Sequence, residues 1–292
     1  MLALPDEHEV LARLGAWGEA DDAIRALVLT SSRARQDATV DLLSDYDVIA
    51  AVRDVARFAA GYEWASACGS PLARWGDEST LLGARTFFRG VVYGDGVKID
   101  FTFWPEELLD RVAEADRPPE GLDVGYRVLL DKDGRTSAWA PATYEAHIPA
   151  IPSRDEYEAV IEEFWWSMTY VAKALWRGEV VFSKFVLDYD AKLGTLRRIL
   201  EWRIEIEHGW SLRPGAYGRG LERLLPPDIA AELAATYVGA GSDENWDGLF
   251  RTTALFRRVA KEVGDALGHA YPQAIDDGVT AHLEAVRALP SR

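Results

Sequence analysis

Cysteine is almost missing from this chain: Cys68 is the only one among 292 residues. A disulfide framework and a cysteine-built metal site are therefore excluded within one chain. Cys68 is expected to pack as a small, half-buried apolar residue. Histidine is sparse as well. His8, His147, His208, His269 and His282 are scattered, and no spacing among them resembles a zinc site. No apolar run approaches the roughly 20 residues of a membrane-spanning helix. The opening MLALPDEHEV lacks the basic and apolar regions of a signal peptide. A cytoplasmic location with no membrane partner is the expectation. Internal repeats and low-complexity segments are absent too.

Positive charge is in deficit. Lys and Arg number 32 against 48 Asp and Glu, a formal net charge of −16. Such a surface repels nucleic acid and attracts cations, and there is no basic stripe of the kind nucleic-acid binders carry. A cationic small molecule fits as a partner. Acidity alone also keeps a protein soluble, so the substrate reading needs the residues that follow.

The 32.4 kDa chain is long enough for one large domain or two ordinary ones, and its composition is globular. Its one excess is tryptophan, eleven in all, with Trp165, Trp166, Trp176, Trp202 and Trp210 in the second half. Residues 5–20 read as a helix opened by Pro5-Asp6-Glu7. IRALVL (24–29) reads as a strand, a polar loop covers 30–40, a second strand lies around 44–50, and 52–59 has helical periodicity. FFRGVVYGDGVKIDFTFW (87–104) predicts a hairpin about Gly94-Asp95-Gly96. Its second arm puts Val97, Ile99, Phe101 and Phe103 on one face and Lys98, Asp100 and Thr102 on the other. Pro105-Glu106-Glu107 opens another helix. Residues 117–153 are loop-rich, with a second hairpin expected in YRVLLDKDGRT (126–136). Helical periodicity then dominates over 155–177, 184–208, 226–238, 246–267 and 272–288. Strands followed by helices predict an α+β N-terminal domain, 1–150, and a C-terminal helical bundle, 151–292.

The chemistry concentrates in LTSSRARQDATVDLLSDYDV (29–48). Strand alternation points Asp45 and Asp47 to one face, away from Tyr46 and Val48. Like charges side by side on a strand repel, so something must offset them. With Asp100 on a neighbouring strand, the three acids make a hard oxygen site suited to Mg²⁺. Paired ions in such a site clamp the attacking and leaving oxygens of phosphoryl-type transfer. Ser31, Ser32 and Arg33 offer hydroxyl, backbone N–H and guanidinium groups to a triphosphate. A lone D-x-D is weak, and a solvated strand edge explains it equally well. The serine turn, the D-x-D and the later strand acid together are far more specific.

That combination resembles the nucleotidyltransferase superfamily. Within it, SSRA (31–34), SDYDV (44–48), GDGVKIDFTFWP (94–105), FWWSMTYVAKALWRGE (164–179) and LRRILEWRIE (196–205) resemble the aminoglycoside 6-adenylyltransferases, also called streptomycin adenylyltransferases. The resemblance implies a polymerase-β-like mixed sheet with flanking helices, followed by a helical domain. It implies Mg²⁺-dependent transfer of AMP from ATP to a hydroxyl of streptomycin at its 6-position, with release of pyrophosphate, and hence drug resistance. Asp45 and Asp47 would hold Mg²⁺. Asp100 would complete the metal site or accept the proton of the attacking hydroxyl. Ser32 and Arg33 would hold phosphates. The chain departs from the family at one point: the turn normally carries Gly before Ser, and here Ser31 precedes Ser32. Glycine permits positive φ and close approach to phosphate. Transfer to another hydroxylated small molecule, and a non-catalytic nucleotide- or drug-binding relative, are the alternatives. A monomer or weak homodimer is expected.

Streptomycin carries guanidinium groups and an amine, so its pocket should offer carboxylates and aromatic faces. Asp188 leads the candidates, an acid in the otherwise apolar KFVLDYDAKL, followed by Glu158 and Glu162, which lie i, i+4, and by Trp165 and Trp202 as walls. Each acid taken singly fits a solvated helix face, and each tryptophan fits core packing. Lys173, amid apolar residues, is the lysine best suited to reach the nucleotide.

Overall fold

The structure is a computed structural model and describes residues 4–35, 40–212 and 216–290. The chain divides into two compact units, Met1–Ala146 and His147–Arg292.

The first unit begins with helix α1 (Glu7–Ala20), whose N-cap Asp6 accepts a hydrogen bond from the Glu9 backbone N–H. Apolar β1 (Ile24–Thr30) and β2 (Tyr46–Val52) follow and pair antiparallel. Next come α2 (Val55–Ala60), the long strand β3 (Pro71–Leu81), β4 (Ala84–Tyr93) and β5 (Lys98–Pro105). Short helices α3 (Leu108–Ala113) and α4 (Glu120–Asp123) lead into β6 (Tyr126–Asp131). The sheet order is β3-β4-β5-β2-β1-β6, with β2 and β5 parallel and the other pairs antiparallel. It is the mixed sheet of the expected α+β fold.

The two faces of this sheet differ. One is covered along its central strands. Phe101 and Phe103 of β5 meet Trp17 of α1, Phe58 of α2 and Trp64 in an aromatic cluster, with ring centroids 4.7–6.5 Å apart. Burying an aromatic side chain of this size contributes on the order of 2 kcal/mol, so the cluster anchors the sheet. The other face is covered only at one end. There Ala26, Val28, Ile49, Ala51 and Trp104 pack with Leu108, Leu109, Val112, Leu122 and Trp139. The opposite end, where β2 and β5 start, carries the acids.

The second unit is helical. It contains α5 (Arg154–Trp176), α6 (Val180–Lys184), a π-helical stretch Phe185–Leu196, α7 (Arg197–His208), α8 (Leu221–Leu224), α9 (Pro227–Thr236), α10 (Ser242–Leu267) and α11 (Gln273–Arg287). A reciprocal Ser153–Glu156 capping box starts α5. Phe164 of α5 stacks on Phe256 of α10 at 3.6 Å. Among the described residues no helix is long and apolar enough to cross a membrane.

Two sequence expectations need correction, and one strand is unexpected. YRVLLDKDGRT is not a hairpin. The Asp131 carboxylate accepts from the backbone N–H groups of Asp133, Arg135 and Thr136 and from the Thr136 hydroxyl. This curls the chain into a turn, and β6 pairs with β1 instead. The single helix read over 184–208 starts at Val180 and changes to π winding at Phe185, which a simple 3.6 period does not anticipate. Finally, β3 has no counterpart in the sequence reading.

Candidate active site

The phosphate-turn candidate and the acid strands meet at the start of β2. Thr30 pairs with Asp47 across β1 and β2, and the 3₁₀ turn Ser31–Ala34 follows at once. Ser31 has φ 59°. It therefore takes the left-handed path that glycine adopts freely and other residues take at a cost of about 1 kcal/mol. The neighbouring Ser31 hydroxyl favours the ionised form of the Asp47 carboxylate.

Asp47 and Asp100 are register partners on the parallel pair β2 and β5, so their side chains stand next to each other on the open end of the sheet. Asp45 precedes β2 rather than lying within it. It reaches the same cluster through Lys98, whose ammonium donates to Asp45 Oδ2 at 2.5 Å and to Asp100 Oδ2 at 2.9 Å. Burial opposes the Lys98 charge, but these two carboxylates hold its pKa above the ordinary lysine value. Burial, then the neighbouring Asp100 and Asp45 charges, push the Asp47 carboxyl up to about 6, while the Ser31 hydroxyl and Lys98 pull the other way. Asp100 Oδ1 is buried with no hydrogen-bond partner.

Arg33 is committed to shaping the site. Its guanidinium donates to the Ser44 and Asp45 carbonyls, pairs with Glu7 and lies 3.9 Å over the Tyr46 ring. It thereby fixes the segment that delivers Asp45 and Asp47. Ser32 lies half-buried in the same turn.

Of the candidates in the second unit, Trp165 is fully buried and donates its indole N–H to the Tyr271 hydroxyl, and Trp202 is 6% exposed. Both belong to the core. Asp188 is held between Lys184 at 2.9 Å and Lys192 at 2.7 Å. Burial raises its pKa, but the two lysines outweigh that and keep it low. Glu158 pairs with Arg154, Glu162 is exposed on α5, and Lys173 lies 4.3 Å from the Tyr170 ring.

Sequence reasoning assigned no role to Lys98. The available signal was its place two residues before Asp100, on the same strand face. Among the described residues no three His, Cys, Asp or Glu side chains converge as a ready-made metal site, and a lysine ammonium is the counter-charge between two of these acids. The donors nonetheless fit a hard divalent cation. They are carboxylate oxygens, one carboxyl is raised by its like-charged neighbours, and one buried oxygen lacks any partner.

Known proteins are similar to this chain over most of its length. An aminoglycoside 6-adenylyltransferase of Bacillus subtilis (strain 168) is 29% identical over 270 residues, spanning 91% of this chain and 92% of the relative. One from Campylobacter jejuni is 28% identical over 272 residues, 91% of each chain. A crystal structure of an aminoglycoside 6-adenyltransferase from Bacillus subtilis covers 99% of this chain and 100% of its own, with 26% identity and a TM-score of 0.48. The family profile described as streptomycin adenylyltransferase matches residues 4–286. With nearly its whole length matched, the chain belongs to the streptomycin adenylyltransferase family and is an enzyme of the nucleotidyltransferase class.

Proposed function

We propose that this enzyme transfers AMP from ATP to a hydroxyl of an aminoglycoside, with streptomycin as the first acceptor to try and its 6-hydroxyl as the reacting group. The observation that carries the reading is the pairing of Asp47 with Asp100 beside the Ser31 turn. Family membership and the net charge of −16 support a cationic acceptor.

Asp45 and Asp47 would hold Mg²⁺, which when bound neutralises charge on the phosphates. The Ser31–Ala34 turn would cradle the triphosphate with its backbone N–H groups. Arg33 acts as a positioning residue, holding the Ser44–Asp45 backbone. Asp100 would accept the proton from the acceptor hydroxyl, a role supported by its unpartnered Oδ1. The hydroxyl oxygen bonds to the α-phosphorus, the bond to the bridging oxygen breaks, and pyrophosphate leaves with its electron pair. Lys98 would keep the acids compensated between turnovers.

Incubation with ATP, Mg²⁺ and streptomycin, read by mass spectrometry, should give an AMP adduct and pyrophosphate. Tight ATP binding without an adduct on any aminoglycoside would overturn the acceptor class.

A further inference from the structure

The acid face of the sheet continues past Asp100 toward the edge. Register sets Val92, Gly90 and Phe88 of β4 beside Lys98, Asp100 and Thr102 of β5, and Ala73, Trp75 and Asp77 of β3 beyond them. An open cavity of about 350 Å³ lies along this ledge, running from Trp75 and Phe88 past Gly90 to Lys98 and Asp100.

Five observations bear on what it takes and where it sits. Trp75 is 64% exposed, and its ring leans on Phe88 with centroids 5.5 Å apart, so a supported aromatic face is presented to solvent. Gly90 lies beneath that face and packs directly against Asp100: a Cβ there would lie 2.9 Å from Asp100 Oδ1 and 3.2 Å from the Phe88 ring, so any side chain at this position would crowd both. Carboxylates flank the aromatic pair, Asp77 opposite Phe88 and Asp100 opposite Gly90. Arg74 and Lys98 also line the cavity, but the Arg74 guanidinium lies 5.1 Å over the Tyr62 ring and the Lys98 ammonium is paired with Asp45 and Asp100. The sheet order separates the two sides of the site. The Ser31 turn follows β1, on one flank of the acids, and the ledge on β4 and β3 lies on the other.

We propose that Trp75 and Phe88 form the acceptor ledge. A guanidinium or ammonium group of the acceptor stacks on Trp75, and the cavity running from there to Lys98 and Asp100 takes its hydroxyl end. This rests on the reading of the acceptor as a cationic aminoglycoside. Acidic neighbours and an aromatic face together select a flat cation.

Two readouts keep the ledge and that reading distinguishable. The first is titration of the ¹⁵N-indole spectrum of the full chain with streptomycin in the absence of ATP, the Trp75 signal being assigned by its loss in Trp75→Phe. The second is steady-state AMP transfer by Trp75→Ala and Trp75→Phe. A shifted Trp75 signal is expected. Trp75→Ala should raise the acceptor KM about tenfold, the size of one partly desolvated cation–π contact, with kcat and the ATP KM within about twofold, and Trp75→Phe should restore most of the affinity. A Trp75 shift without AMP transfer would uphold the ledge and overturn the transfer reading. AMP transfer with an unmoved Trp75 signal and an unchanged acceptor KM in Trp75→Ala would overturn the ledge alone. Neither shift nor transfer would overturn both.

Discussion

Asp276 in the helical unit is 1% exposed, yet its carboxylate is fully engaged. Arg257 grips it with two bonds of 2.5 and 2.6 Å, and the hydroxyls of Tyr271 and Thr280 donate as well. Asp47 in the sheet unit is less buried, but it faces two other aspartates and has a hydroxyl and a lysine as its compensation. Burial pushes both carboxyls upward. At Asp276 the Arg257 fork reverses that and holds the pKa low, whereas at Asp47 the acidic neighbours add to it. One aspartate is finished by the fold and the other is left for a ligand to finish. Compensation, more than burial, separates a structural acid from a functional one here.

The largest effect should come from breaking the unfinished side. Asp47→Asn is expected to lower AMP transfer by at least about a thousandfold, the range seen when a principal electrostatic group is removed. Removing a like charge should leave thermal stability unchanged or slightly raised. Near-normal turnover in this variant would show that Asp47 holds nothing in the reaction.

Breaking the finished side should invert that pattern. Asp276→Asn leaves Arg257 poorly paired, and unfolding of the helical unit, followed by tryptophan fluorescence in urea, should become easier by about 2 kcal/mol. The wild-type protein should show the same contrast against pH. Asp276, with its pKa lowered on folding, contributes stability above the ordinary carboxylate range, and this is lost as pH falls through its folded value. In metal-free protein Asp47 has the opposite sign. Between about 4 and 6 the folded state binds the extra proton, so its contribution worsens as pH rises. A single slope for both units would contradict the comparison.

Ser31→Gly gives the smallest expected effect and the sharpest. It should release up to about 1 kcal/mol of left-handed backbone strain, partly offset by the greater freedom of glycine in the unfolded chain. It also removes the hydroxyl that favours ionised Asp47. A slightly higher Tm together with an ATP KM changed only a few-fold is the anticipated result. A large loss of ATP affinity would assign the hydroxyl, rather than the backbone path, to phosphate binding.

The readable parts of the sequence share a physical cause. β1, β2 and β5 are buried on at least one face, so their apolar periodicity is strong. Asp47 and Asp100 stood out because carboxylates interrupt otherwise apolar strands. β3 was invisible because nearly every residue is exposed on both faces and no alternation is required of it. Trp75 went unremarked with it. Lys98 reads as an ordinary surface lysine until the parallel register of β2 and β5 brings Asp45 within reach. In the helical unit the acids Glu158, Glu162 and Asp188 gave no decisive signal, since each also suits a solvated or paired helix position. Trp165 and Trp202 did what large aromatics on amphipathic helices usually do and packed inward.

Cys68 has a practical consequence. It is 2% exposed, and burial pushes its thiol up to about 12, so almost no thiolate is available to alkylating reagents at neutral pH. Toward maleimide dyes or spin labels the folded chain is expected to behave as though it had no cysteine. One cysteine introduced at an exposed site such as Glu78 or Tyr217 would therefore carry a label alone, without first mutating the background.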